Sequence, residues 1–189
     1  MLTILPPIIQ IPLVLLVFAA AIYDIRFRRI PNWLVGTGLL FGFTLNSVWG
    51  ENWIPADSHG WAFAAKGFGI ATLIYFPLYM VRGMGAGDVK LMMAVGSLVG
   101  PMNWLGICFL SVVVGGAAGL ILVVMSGKLR QTFSNMGYIL TELVHLRAPY
   151  SSRPELDTKS PKALTLPHGA MIAIGALSFL GAMLMRAPR

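Results

Sequence analysis

Charged side chains are scarce in this sequence. Lysine, arginine, aspartate and glutamate make up 11% of its 189 residues, against 57% hydrophobic. A soluble domain carries about a quarter charged residues, so the deficit excludes an ordinary soluble fold and points to a membrane. Cysteine is scarcer still. Cys108 stands alone, which excludes an internal disulfide and any cysteine-based zinc site, and its apolar surroundings read as a small buried or lipid-facing hydrophobe. The three histidines, His59, His145 and His168, are scattered rather than grouped as metal ligands. No metal and no cofactor is therefore expected. The net charge of +7 does not argue for nucleic acid in so apolar a chain. It fits an orientation signal and attraction to anionic lipid.

What is abundant is apolar sequence. Six runs stand out, at about 4–23, 33–50, 61–81, 89–100, 104–125 and 167–185. The pattern predicts an all-α polytopic membrane protein with about six transmembrane helices in one domain spanning 1–189. The fourth run is short, about 18 Å as a helix, against a hydrocarbon core of about 30 Å. It must start below the membrane surface or be tucked among other helices. Gly100 and Pro101 end it before the fifth run. The spacings Gly38/Gly42, Gly96/Gly100 and Gly115/Gly119 suit close helix contacts in lipid. Trp33, Trp49, Trp53, Trp61 and Trp104 all lie near run ends, where interfacial tryptophans are expected.

The first run resembles a signal peptide only in part. It carries no charge from Met1 to Tyr23, and Arg26, Arg28 and Arg29 follow it. A cleaved leader has its positive charge in front, so the run reads as a retained anchor. Basic residues then fix the expected topology. Arg26, Arg28, Arg29, Arg82, Lys90, Lys128, Arg130, Arg147, Arg153, Lys159 and Lys162 fall on one side, and Lys66, Arg186 and Arg189 on the other. The richer side is cytoplasmic by the positive-inside rule, with both termini outside. The longest connection, about 126–166, opens with Leu129, Phe133, Met136, Leu140 and Leu143. Their spacing predicts an amphipathic helix over 128–147 on the cytoplasmic leaflet. The Pro- and Ser-rich stretch "RAPYSSRPELDTKSPKA" after it reads as a mobile loop.

Five of the seven acidic residues lie in connections or on that amphipathic helix. Asp24 and Asp88 do not. The topology puts both at the cytoplasmic ends of apolar runs, at one membrane depth. Asp88 is also placed to cap the fourth helix. Asp24 sits where a helix C-terminus disfavours negative charge, so something must hold it, Arg26 or Arg28 being candidates. Ionisable groups at membrane depth are usually functional. Two aspartates at one site share a proton, one activating water while the other donates to a scissile carbonyl. Before Asp88 stand Gly83, Gly85 and Gly87. Such a segment is poor helix and permits close approach of another backbone, which places 83–87 beside a cleft and an extended substrate.

These residues carry a resemblance. "GAGDVKL" at 85–91 resembles the GxGD motif of membrane aspartyl proteases in the form found in type IV prepilin peptidases. "YDIRFRRIPN" at 23–32 and "LPHGAMIAIGAL" at 166–177 are similar to that family's first aspartate segment and last helix. The resemblance implies a multi-pass peptidase of the bacterial inner membrane that removes the short basic leader of prepilins or pseudopilins at the cytoplasmic face. Asp24 and Asp88 would be catalytic, and Gly85, Gly87 and Lys90 would meet the substrate. The paired CxxC motifs of the large methylating members are absent, and only 23 residues precede Asp24. The chain therefore resembles the small peptidase-only type of Flp (Tad) pili, and methylation is not expected. Expected partners are leader peptides and the lipid bilayer, not nucleic acid. Two other readings stay open: a proton-coupled carrier using the same aspartates, and a GxGD protease cutting transmembrane segments.

Overall fold

The computed structural model of the protein describes residues 4–54, 59–80, 83–127, 129–144 and 166–186. The described residues are helical, with short connections and no strand: α1 (Pro7–Phe27), α2 (Asn32–Trp49), a 3-10 turn (Gly50–Asn52), α3 (Gly60–Met80), α4 (Ala86–Met125), α5 (Leu129–Val144) and α6 (His168–Arg186). The fold class read from the sequence is all-α and polytopic, and the structure agrees. Among the described residues, Pro7–Phe27, Gly60–Met80, Ala86–Met125 and His168–Met185 are long and apolar enough to cross a membrane. The expected amphipathic helix is present as α5. The Pro- and Ser-rich loop expected after it, and Arg82 and Lys128, lie outside the described residues.

Runs four and five form one helix in name, α4, but it is folded back on itself. Gly100 has φ 74° and ψ 178°, a conformation open essentially to glycine alone. Pro101 follows and supplies no backbone donor. The Trp104 indole N–H donates to the Met92 carbonyl at 3.0 Å. In a straight helix those residues would stand about 18 Å apart, so residues 86–99 and 101–125 are two arms of a hairpin. Trp104 is thus no interfacial residue. It is fully buried and ties the arms together, whereas Trp33, Trp49 and Trp61 are exposed as expected.

The first arm is the centre of the molecule. Leu91, Met92, Ala94, Val95, Ser97, Leu98 and Val99 are all completely buried, as befits a helix that is apolar all round. Being tucked among other helices explains how so short a run fits. In lipid, helix association rests on packing rather than on expulsion of water, so small residues mark the contacts. The three glycine pairs meet that expectation. Gly38 and Gly42 of α2 lie against Ala94 and Ser97, Gly96 and Gly100 lie against Gly67 and Phe63 of α3, and Gly115 and Gly119 touch Met171 and Leu166.

Breaking the helix at Gly100 orphans carbonyls in the core, where each unpaired group costs several kcal/mol. Asn46 of α2, itself fully buried, repairs this. Its amide nitrogen donates to Ser97 O at 2.8 Å and Leu98 O at 3.2 Å, as well as to Gly42 O. The second arm then runs back beside α6, with Gly106 on Phe179, Ser111 on Gly175 and Gly115 on Met171. At the opposite end of α6, Met183 meets Leu5. The end of α1 and the starts of α2, α4 and α6 therefore gather at one end of the bundle, away from Asn46 and Gly100.

Candidate active site

The local sequence brings four helix ends together. Helix α1 stops at Phe27 because Arg28 turns left-handed, φ 53°, and donates its N–H to Asp24 O at 2.9 Å. Pro31 precedes α2 with φ −69° and ψ 141°, the extended geometry proline imposes. The connection is only four residues long, and it folds Ile30 inward. Ile30 becomes the shared wall of the site. A side chain on Gly87 would meet its Cβ at 3.3 Å, and one on Gly169 would meet its Cδ1 at 3.3 Å.

Asp24 is buried, at 8% exposure. Its Oδ2 accepts the backbone N–H of Gly169, in the first turn of α6, at 2.8 Å. What offsets the unfavourable end of α1 is thus the favourable end of α6. Arg26, one of the expected partners, has its guanidinium 5.7 Å from the Phe27 ring centre. Asp88 is half-buried in the first turn of α4. Its carboxylate reaches back to the Gly85 N–H, as the third residue of a capping box does. The charges of Asp24 and His168 both bear on it. The two aspartates, 64 residues apart in the chain, are thereby brought to one place, with the amino ends of α4 and α6 pointing at it.

The glycines divide the work differently from the expectation. Helix α4 already begins at Ala86, so only 83–85 precede it outside helical structure, and Gly87 lies in its first turn. The space beside Gly87 belongs to Ile30. Gly85 is exposed and faces Asp88 Oδ2. Lys90 is exposed, and its Nζ donates to Asn32 Oδ1 at 3.0 Å. Asn32 lines a cleft of about 380 Å³ together with Tyr23, Phe27, Arg29, Ile30 and Pro31. Tyr23 packs edge-on against Trp33 at 6.0 Å and tilted against Phe27 at 5.6 Å, so one wall of the cleft is aromatic. Ile30 separates this cleft from the aspartates. Among the described residues no cluster of His, Cys, Asp or Glu is arranged to hold a metal ion.

The model of the type IV leader peptidase family matches residues 11–120. The chain belongs to the type IV leader peptidase family. Membership makes it a membrane-embedded peptidase and implies prepilin substrates. The matched span holds Asp24, the Gly85–Asp88 segment and Lys90, and it ends before α6. Searches of curated proteins and of solved structures found no match.

Three site residues carried no assigned role in the sequence reading: Gly169, Ile30 and Asn32. Proline and glycine at 167 and 169 do signal a helix start. Nothing local shows that the Gly169 amide faces a carboxylate 145 residues away.

Proposed function

We propose that this leader peptidase is an aspartyl endopeptidase in which Asp24 and Asp88 act as one unit. The observation that carries the reading is the convergence of the two carboxylates from opposite ends of different helices, each tied by a backbone N–H. One aspartate takes a proton from water as the water attacks the scissile carbonyl. The other, protonated, donates to the carbonyl oxygen to give a gem-diol. The first aspartate then passes the proton it took from water to the leaving amine, while the second recovers its proton from the diol as the carbonyl reforms. Two carboxylates at one site share a proton because like charges resist double ionisation. Backbone amides at the starts of α4 and α6 favour the negative charge that develops there.

The substrate in this reading is a Flp-type prepilin or pseudopilin with a short basic leader, and cleavage takes place at the cytoplasmic face of the inner membrane. The excess of basic residues flanking the aspartate end supports that side. The cleft lies across Ile30 from the aspartates, and Lys90 and Gly85 lie exposed at the same end, where an extended segment of substrate would pass. A proton relay needs only the carboxylates, whereas here an aromatic-walled cleft lies on the other side of Ile30 from them, which favours a peptidase over a carrier. The test is direct. Full chain co-expressed with a Flp-type prepilin should shorten the pilin at the end of its basic leader. The same chain bearing Asp24→Asn or Asp88→Asn should leave it full length.

A further inference from the structure

On the two-aspartate reading, Asp24 must present one particular oxygen in a fixed direction, and we infer that Gly169 is the positioning residue that makes it do so. Its N–H holds Oδ2, so that Oδ1 is the oxygen presented to water.

Rotamer preference cannot fix the carboxylate plane. The terminal torsion of aspartate is broad and two-fold, so both oxygens are equivalent until a donor distinguishes them. The last turn of α1 has no donor to spare, because a helix carboxyl end presents carbonyls. The first turn of α6 has the opposite surplus. There the Ala170 and Met171 N–H groups are engaged by Pro167 O at 3.1 and 3.3 Å, while the Gly169 N–H goes to Asp24 Oδ2 at 2.8 Å. That length is typical of a charge-assisted bond.

The approach leaves little room for a side chain at this position. A Cβ at this position would stand 3.0 Å from Asp24 Cβ, 3.2 Å from Asp24 Oδ2 and 3.3 Å from Ile30 Cδ1. The carboxylate would have to shift by a few tenths of an ångström, in a reaction where misplacement of about 1 Å can cost a hundredfold in rate. Gly181 of the same helix is a matched control, with nothing within 4 Å of a Cβ built there. Alanine at Gly181 gains helix propensity and meets nothing, and only at Gly169 does the added methyl crowd Asp24.

The experiment measures kcat and KM for cleavage of a Flp-type prepilin by the full chain in membranes. Gly169→Ala should lower kcat at least tenfold with KM within twofold, while Gly181→Ala matches wild type in both. Adding Ile30→Val to Gly169→Ala should restore nothing, because the Asp24 contact remains. Gly169→Ala behaving as Gly181→Ala, with Asp24→Asn inactive, overturns the role of Gly169 and leaves the two-aspartate reading standing. Rescue by Ile30→Val assigns the defect to the Ile30 wall and overturns it too. Wild-type cleavage by Asp24→Asn takes both ideas down. Should Gly169→Ala fail to fold, the bond is read from its other end by amide hydrogen exchange. The Gly169 amide should exchange at least tenfold faster in Asp24→Ala than in wild type, and equal rates overturn the proposal.

Discussion

Replacing either aspartate by asparagine separates catalysis from architecture. At Asp88 the structural loss is small. The side chain reaches back to the Gly85 N–H from the first turn of α4, and an asparagine oxygen accepts the same bond. What disappears is a charge at a helix amino end, worth about 0.3–1 kcal/mol. At Asp24 a charged bond to the Gly169 N–H becomes a neutral one, a difference of about 1 kcal/mol. Neither change approaches the ~5–15 kcal/mol that holds a typical domain folded. Turnover is another matter. Asparagine cannot exchange a proton near neutral pH, and loss of a general acid or base costs about 10²–10⁴ in rate. That range corresponds to roughly 3–5 kcal/mol of transition-state stabilisation.

The assay is prepilin cleavage followed by mass spectrometry, run beside thermal melting of each purified variant. Both single variants should melt within a few degrees of wild type and show at least a hundredfold loss of kcat. The double variant should be no worse than either single one, because groups acting as a unit are strongly non-additive. If Asp88 served only to hold the Gly85 N–H, an asparagine oxygen would serve nearly as well. Near-normal turnover by either single variant, or losses that multiply in the double, would refute the paired mechanism.

Asn46→Ala should destabilise the hairpin of α4 by about 1–3 kcal/mol, since it strips the donor from the Ser97 and Leu98 carbonyls; a melting temperature equal to wild type would show that the bonds are dispensable. Gly100→Ala should cost about as much in backbone strain alone, with further loss from overlap with the Phe63 ring, and is expected to lower the yield of folded protein on size-exclusion chromatography. In a Cys108→Ala background, cysteine at Ser152 should react with a membrane-impermeant maleimide only after the cells are opened. Labelling in intact cells would reverse the topology and put the aspartate end on the wrong face. Cleavage should survive chelators, and loss of activity restored by zinc would contradict a metal-free reaction.

The all-α fold was legible because its cause is compositional. A chain this apolar has few ways to satisfy its backbone in lipid, and helices are the local one. The break at Gly100-Pro101 was legible for the same kind of reason, since proline and glycine act on their own residues. The direction of the chain after that break was not. Trp104 looked like an interfacial anchor by its position in the sequence, and only the fold-back that carries it to Met92 O makes it a core residue. Asn46 attracted no attention, because its acceptors lie 51 and 52 residues away.

The aspartates show the same boundary from the functional side. The oddity of Asp24 was visible in the sequence, as a negative charge at the wrong end of a helix. The expected remedy was a neighbouring arginine, because sequence exposes neighbours. The structure brings in the amino end of α6, whose Gly169 N–H donates to Asp24 Oδ2. That choice has a chemical consequence. An arginine would neutralise the carboxylate with a mobile, fully charged partner. A backbone amide at a helix start contributes a fixed dipole that holds the group in place. The glycine that admits the amide is therefore as much a part of the site's electrostatics as of its packing.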